Sequence, residues 1–365
     1  MSAAETNVAG AQLPAQATPR PRAFPVIVLL TAGLIACAII AATIGAAGIP
    51  LARLPAALGL AASTTEPAVL ARDALVLWSI RIPRIALTAM VGAMLAVAGA
   101  IMQGLFRNPL ADPALVGVSS GGAFAAAGTI VLMDSSFASK LPLPQFELLP
   151  VAAFIGSLLT TYILYRIASR NGRTSVAIFL LSGLAIAALC NAGIGLLVFV
   201  ADDRQLRDIA VWLLGSFSGA TWSKAAVIAP VMVVVLLATA LIARGLDVLV
   251  LGEAEAFHSG INVERLKTIA IVLVSAMTGA AVSVSGIIGF VGIVVPHLLR
   301  LAIGPGHRLL LPSSALLGAS LMVGADTLAR TLAAPTEVPI GVLTAAIGAP
   351  FFLMILLRQR ASALA

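Results

Sequence analysis

Long apolar runs separated by short polar breaks dominate this chain of 365 residues, of which 60% are hydrophobic and only 10% are charged. A helix needs about 20 mostly apolar residues to cross the hydrocarbon core of a bilayer. Such runs predict about ten membrane-spanning helices, at residues 26–48, 84–105, 114–133, 148–168, 176–200, 223–243, 266–286, 289–303, 311–330 and 338–357. The pattern indicates an all-α polytopic membrane protein with one transmembrane domain.

The N-terminal stretch differs from the rest of the chain. Residues 1–23 are rich in Ala, Gln, Thr and Pro and lack an apolar core, so they predict a disordered tail. Residues 24–365 are expected to form the transmembrane domain. The first run, 24–48, is too long for a signal peptide and is expected to remain as a span. An even number of spans places both termini on one side, and the positive-inside rule favours the cytosol.

The net charge of +7 comes from 22 Lys and Arg residues that are scattered between the runs. Because they form no basic stripe, they favour anionic lipid over nucleic acid as a partner. With cytosolic termini, the inner cations are Arg20, Arg22, Arg107, Arg166, Arg170, Arg173, Arg244, Arg265, Lys267, Arg300, Arg308, Arg358 and Arg360. The outer ones are Arg53, Arg72, Arg81, Arg84, Lys140, Arg204, Arg207, Lys224 and Arg330. Lipid gives no reason to gather cations outside, so we expect an acidic partner there.

Two segments between the long runs predict short helices. Residues 209–220 are apolar but too short to cross, which predicts a re-entrant helix beside a cavity. A surface helix anchored by Trp212 and Trp222 is the alternative. Residues 246–262 predict two cytosolic helices, the first ended by Gly252 and the second by Gly260. Acidic and apolar side chains make this pair a surface for another protein, with an ordinary connector as the alternative.

Residues that carry chemistry are scarce. The sequence has no Gly-x-x-x-x-Gly-Lys-Ser/Thr loop, so any ATP is expected to be used by a partner. His258, His297 and His307 share no ligand spacing, and Cys37 and Cys190 lie alone in separate runs. We therefore expect no catalytic residue, no metal site and no cofactor bound by this chain.

The apolar runs themselves carry few charges. Asp326 and Arg330 are the main exceptions, and an ion pair one helical turn long explains them as well as a functional role does. This scarcity disfavours a proton or sodium relay, and with it a secondary transporter. Small residues recur at helical spacing, as in Gly92, Ala96 and Gly99, and predict close helix packing.

Two blocks of sequence resemble the permease subunits of bacterial ABC importers for iron-siderophores, haem and cobalamin. The first comprises Arg81-Ile-Pro-Arg84, Val91-Gly-Ala and Asn108-Pro-Leu-Ala-Asp-Pro-Ala-Leu-Val-Gly-Val-Ser-Ser-Gly-Gly122. The second comprises Ser285-Gly-Ile-Ile-Gly-Phe-Val-Gly-Ile-Val-Val-Pro-His-Leu-Leu-Arg300, His307-Arg-Leu-Leu-Leu-Pro312, Ala325-Asp-Thr-Leu-Ala-Arg330 and Glu337-Val-Pro-Ile-Gly341. The resemblance extends from about residue 24 to the C-terminus.

This resemblance implies the type II ABC importer permease fold and a homodimer in the bacterial inner membrane. It also implies two cytosolic ATPase subunits, which bind ATP and Mg, and a periplasmic substrate-binding protein. The expected cargo is an iron chelate, haem or a ferric siderophore, carried from periplasm to cytoplasm. Cobalamin is the alternative cargo.

The resemblance also assigns roles to residues. Arg81, Arg84 and Arg330 are expected to dock the substrate-binding protein through charge-assisted hydrogen bonds. Coupling to the ATPase is expected at Leu251, Gly252, Glu253, Glu255, Ala256, Phe257, His258, Ser259 and Gly260. The translocation pathway is expected to be lined by the fifth run and the 209–220 segment, with Ser182, Asn191, Gly193 and Gly195 as candidate residues.

Overall fold

The computed structural model describes residues 23–45, 47–62, 64–113, 117–132, 145–170 and 173–363. The predicted tail, apart from Ala23, lies outside these residues, as does Lys140. The helices are α1 (Ala23–Thr43), α2 (Leu54–Ala57), α3 (Pro67–Val76), α4 (Ile82–Leu105), α5 (Val118–Leu132), α6 (Gln145–Ala168), α7 (Val176–Val200), α8 (Asp203–Leu214), α9 (Trp222–Leu249), α10 (Glu253–His258), α11 (Val263–Ser285), α12 (Val291–Ile303), α13 (His307–Leu332) and α14 (Ile340–Ala363). A 3₁₀ turn (Leu51–Arg53) precedes α2, and a π turn (Leu77–Arg81) joins α3 to α4.

Each of the ten predicted spans overlaps one of these helices. Among the described residues, seven helical segments are long and apolar enough to cross a membrane. The helices α5, α12 and the apolar part of α14 are shorter. A crossing by each of these three stays a prediction.

Two helices form the centre of the bundle. We consider the most apolar stretch of 18 residues in each long helix. In α11, and in the segment Pro67–Leu105 that contains α4, 78% of this stretch is buried. The helix α4 packs against α13, α11, α12 and α9. Its glycines allow this, because a Cβ on Gly92 would lie 2.3 Å from the backbone oxygen of Gly318, and one on Gly99 would lie 1.9 Å from that of Gly292. The prediction of close packing through small residues is thus confirmed.

The outer helices keep apolar side chains on the surface. In α1, none of the most apolar 18-residue stretch is buried. In α7, only 17% of the corresponding stretch is buried. Leu184 and Leu189 on α7 are exposed, as is Leu241 on α9. In a bilayer such faces contact lipid or a second protein, so the burial pattern agrees with the expected membrane location.

The predicted helix over 209–220 is wrong in its bounds. The helix α8 begins six residues earlier, because the Asp202 carboxylate accepts from the backbone N–H groups of Arg204 and Gln205, and Gln205 reaches back to the Asp202 N–H. This capping box fixes the helix start. The helix then ends at Gly215, whose φ of +73° suits glycine.

The predicted separate helix at 246–250 is also wrong. The helix α9 continues without a break to Leu249. Both Leu246 and Leu249 are buried, so the helix gains from extending past the membrane-spanning part. Only the second predicted helix, α10, is separate, and Gly252 precedes it with a φ of +136°.

A two-stranded hairpin connects α6 to α7. Its strands are β1 (Ser169–Arg170) and β2 (Arg173–Thr174), paired antiparallel with Ser169 opposite Thr174. The hairpin lies at the same end of the bundle as α10 and the start of α11. We call this the hairpin end, and we call the opposite end, where α4 begins, the arginine end.

Candidate functional site

The three arginines predicted to dock a partner lie together at the arginine end. Arg84 donates to both oxygens of Asp326, at 2.7 and 2.9 Å, and to both oxygens of Glu337, at 2.7 and 3.0 Å. Its guanidinium thus makes two fork-shaped contacts, the geometry that makes such pairs strong. The sequence pair Asp326 and Arg330 is looser, with 3.9 Å between Nε and Oδ2. The main partner of Asp326 is therefore on α4, not on its own helix.

The other two arginines of this cluster hold the end of α1. Arg330 donates to the backbone oxygen of Ala41 at 2.6 Å, and Arg81 donates to the backbone oxygens of Ala42 and Ala47. The last carbonyl groups of a helix have no partner within it, and cations satisfy them. Arg81 is only 4% exposed. Each arginine therefore already has partners within this chain, and docking by them stays a prediction.

A cavity of about 550 Å³ opens beside α8. Its wall includes α8, the loop after it, the start of α9 and the end of α11. Charged and polar side chains in the lining include Arg204, Asp208, Lys224, Ser216 and Ser285. The predicted association of the 209–220 segment with a cavity is thus confirmed, although half of the segment is not helical.

Backbone contacts through glycine hold α8 at the cavity wall. A Cβ on Gly286 would lie 2.1 Å from the Trp212 oxygen, and one on Gly341 would lie 2.2 Å from the Leu214 oxygen. The Gly215 oxygen accepts from the Ile340 N–H at 3.1 Å. The C-terminal end of α8 is therefore held against the C-terminal end of α11 and the start of α14. The backbones lie too close there for a side chain to fit between them.

The four predicted pathway residues lie on α7 and outside the lining of this cavity. Asn191 and Gly195 are exposed, and Ser182 is half-buried. Gly193 faces α5, since a Cβ there would lie 2.5 Å from the Phe124 ring. A pathway along α7 stays a prediction, and its open face belongs to the exposed surface of the subunit.

The predicted coupling residues form an exposed corner at the hairpin end. The side chains of Leu251 and Phe257 are 73% and 71% exposed, and Glu255 is exposed between them in sequence. The Phe257 ring meets the His258 ring edge-on at 6.0 Å between centroids. Ala256 is fully buried and fixes the helix to the bundle, while Ser259 and Gly260 are exposed.

Behind this corner lies a network that sequence reasoning missed. Lys267 is 3% exposed, and its ammonium group donates to Glu253 at 2.9 Å, Glu264 at 3.1 Å and the Thr174 backbone oxygen at 3.2 Å. The signal was available, because a lysine three residues after a glutamate at the start of an apolar helix is a candidate ion pair. The contact with Thr174 depended on the fold.

The histidines that the sequence left unassigned occupy separate places. The Asp247 carboxylate accepts from the His307 backbone N–H at 2.7 Å and lies 2.7 Å from Nδ1 of the same residue. This contact joins the start of α13 to the end of α9. His297 stacks edge-on against Phe351, and His258 lies on α10.

Comparison with known proteins settles the family. The model of the FecCD transport family matches residues 33–358. The chain belongs to the FecCD transport family. A solved structure, described as an inward-facing conformation of a metal-chelate type ABC transporter, superposes with a TM-score of 0.79 at 30% sequence identity. The superposition covers 92% of this chain and 99% of that one, so the fold is that of a type II ABC importer permease.

Curated relatives of this FecCD family permease come from bacteria and archaea. The hemin transport system permease protein of Yersinia pestis is 49% identical over 282 residues, which cover 77% of this chain and 83% of that protein. The cobalamin import system permease protein of Halobacterium salinarum is 46% identical, with 77% and 73% covered. The Fe(3+) dicitrate transport system permease protein of Escherichia coli is 40% identical, with 78% and 86% covered. The FecCD permease is thus a subunit of an ABC transporter, a family whose permeases lack their own ATPase.

Proposed function

We propose that this chain is the membrane-spanning subunit of an ATP-driven importer and does not itself hydrolyse ATP. The importer carries an iron chelate, haem or a ferric siderophore, from the periplasm into the cytoplasm of a bacterium. Two copies form the conduit in the inner membrane, with both termini cytosolic. A substrate-binding protein docks at the arginine end, and two ATPase subunits bind at the hairpin end.

The observation that carries the proposal is the exposed corner at α10. Leu251 and Phe257 present large apolar side chains at an end of the bundle that also holds Arg107, Arg173, Glu253 and Glu264. Water-exposed aromatic side chains near a charged rim are typical of protein interfaces. The short helix α10 is a suitable contact for a partner that moves during ATP hydrolysis. The buried Ala256 and the Glu253–Lys267 ion pair connect α10 to the rest of the bundle, so a movement of α10 is transmitted to it.

The charged residues at the arginine end support the proposed orientation of the bundle across the membrane. About 28 Å of helix separates Arg84 from Gln103 on α4, at 1.5 Å a residue, so the two ends of the bundle lie on opposite sides of a bilayer. At the arginine end five arginines, Arg53, Arg72, Arg81, Arg84 and Arg330, lie with three carboxylates, Asp73, Asp326 and Glu337. The remaining positive charge suits an acidic docking surface on a binding protein.

The cargo proposal rests on relatives and on the cavity. Arg204 and Lys224 outnumber the acidic Asp208 in its lining, which favours a chelate with carboxylate groups. The relatives that transport hemin and ferric dicitrate agree with such a cargo. Cobalamin is the second candidate, supported by the 46% identical relative. Purification of the partner binding protein and identification of the ligand that it retains would decide between them.

The experiment that tests the ATP-driven mechanism is reconstitution in vesicles. The chain with its ATPase and binding protein should accumulate cargo only with ATP, and the chain alone should not. Phe257→Ala should weaken ATPase binding roughly tenfold, since an exposed interface aromatic commonly contributes more than 1 kcal/mol. Leu237→Ala is the control, because Leu237 is 70% exposed on α9 and lies further from α10 along the helix. Accumulation by the chain alone would overturn the proposal.

A further inference from the structure

The ammonium group of Lys267 connects three elements that are distant in sequence. It holds Glu253, the first residue of α10, Glu264, in the first turn of α11, and Thr174, the last residue of the hairpin. Lysine has three N–H donors, and these contacts use all three. Because the Lys267 side chain is only 4% exposed, water has little access to its ammonium group.

Thr174 is held from both sides of its backbone. Its N–H donates to Glu264 at 2.8 Å, and its carbonyl oxygen accepts from Lys267 at 3.2 Å. The next residue, Ser175, caps the N-terminus of α7 by accepting from the Ile178 N–H. The side chains of α11 therefore fix the peptide groups directly before α7.

The link from α10 to α7 is short. From Glu253 it passes through one ammonium group to the carbonyl of Thr174, in two contacts of 2.9 and 3.2 Å. Lys267 keeps Glu264, its neighbour on α11, when α10 moves, so its ammonium group follows Glu253 as long as the charge-assisted hydrogen bond between them holds. Displacement of α10 by more than about one ångström must therefore move the Lys267 ammonium group, and with it α11 or the start of α7, or break a charge-assisted hydrogen bond.

We propose that Lys267 is a positioning residue that transmits the movement of α10 to the start of α7, and so couples ATP hydrolysis to the opening of the conduit. The inference rests on the proposed function, and it adds the route by which α10 acts. Without Lys267, the ATPase subunits still bind the exposed corner and hydrolyse ATP, but α7 does not follow.

The test uses the complete reconstituted complex and measures cargo transported per ATP hydrolysed. Lys267→Met keeps the length and apolar stem of the side chain and removes the ammonium group. We expect it to lower cargo per ATP about tenfold, a size typical of coupling between two sites, with ATPase subunits bound as in the wild type. Arg166→Met is the control, because Arg166 is an exposed cation on α6 whose guanidinium lies 6.0 Å from the Tyr162 ring of its own helix. It should transport as the wild type does.

A second variant tests the same route in case Lys267→Met does not fold. Glu253→Ala removes a side chain that is 47% exposed and leaves Lys267 paired with Glu264, so the fold should persist. It should also lower cargo per ATP, whereas Glu253→Gln, which keeps an acceptor oxygen, should lose less. The double variant Glu253→Ala with Lys267→Met should be no worse than Lys267→Met alone, because both act on one route.

The possible results separate the two proposals. Normal cargo per ATP in both Lys267→Met and Glu253→Ala, or losses that multiply in the double variant, would overturn the role of Lys267 and leave the importer function intact. A wild-type complex without ATP-dependent uptake would overturn the importer function itself, and the role of Lys267 with it.

Discussion

Removal of the Arg84 guanidinium is predicted to destabilise the fold strongly. Arg84→Met leaves the Asp326 carboxylate, 7% exposed, with only the 3.9 Å contact to Arg330. Glu337 is 36% exposed and turns to water instead. Breaking a buried ion pair by removing one partner costs about 3–5 kcal/mol, and the orphaned Asp326 places this variant in that range. Glu337→Gln leaves Arg84 paired with Asp326 and should cost about 0–1 kcal/mol.

The assay is unfolding of the purified chain in mixed micelles with increasing SDS, followed by tryptophan fluorescence. Trp78 accepts at its backbone oxygen from the Trp222 indole at 2.9 Å and lies close in sequence to Arg84, so it should report on this end. Arg84→Met should unfold at clearly lower SDS than Glu337→Gln. Adding Asp326→Asn to Arg84→Met should restore part of the loss, since it removes the unpaired charge. Equal stability of Arg84→Met and Glu337→Gln, or no recovery in the double variant, would refute this reasoning.

Three other predictions concern packing and assembly. Gly99→Val should destabilise the chain by about 3 kcal/mol or more, because its Cβ would lie 1.9 Å from a backbone oxygen of α12, whereas Gly195→Val, with open space at its Cβ, should have little effect in the same SDS assay. Gly286→Ala should displace α8, because the Cβ would lie 2.1 Å from the Trp212 oxygen and φ is +71°; increased proteolysis after α8 with an intact bundle would show it, and an unchanged digest would contradict it. Phe257→Ala should reduce the amount of ATPase that co-purifies with the chain without changing SDS stability, and undiminished co-purification would count against the corner as the ATPase surface.

The arginine cluster changes how docking has to be tested. Arg84 and Arg81 are tied to carboxylates and to α1 within this chain, so charge reversal there would damage the fold as well as any docking. Arg330 is the better position, because apart from the 3.9 Å approach to Asp326 its contact is with one backbone oxygen, that of Ala41. Arg330→Gln should lower ATPase stimulation by the binding protein while the chain stays folded.

Local sequence determined the number and order of the apolar segments, because spacing of about 20 apolar residues is set by the bilayer and not by neighbouring helices. It also determined the close approach of helices at Gly92 and Gly99, and the corner at α10, where glycines on both sides end regular structure. The bounds of α8 were predictable too, since Asp202 and Gln205 form a capping box that the apolar pattern concealed.

Tertiary structure alone decided which polar groups that are far apart in the sequence meet. Asp326 pairs mainly with Arg84, 242 residues earlier in the chain, and only at 3.9 Å with Arg330 on its own helix. Lys267 reaches the backbone of Thr174 across 93 residues. Periodicity along one helix specifies the face on which a charge lies but not the partner that faces it. In a low-dielectric bundle, each buried charge takes the partner that packing brings within hydrogen-bond reach, so these pairs follow from how the helices cross.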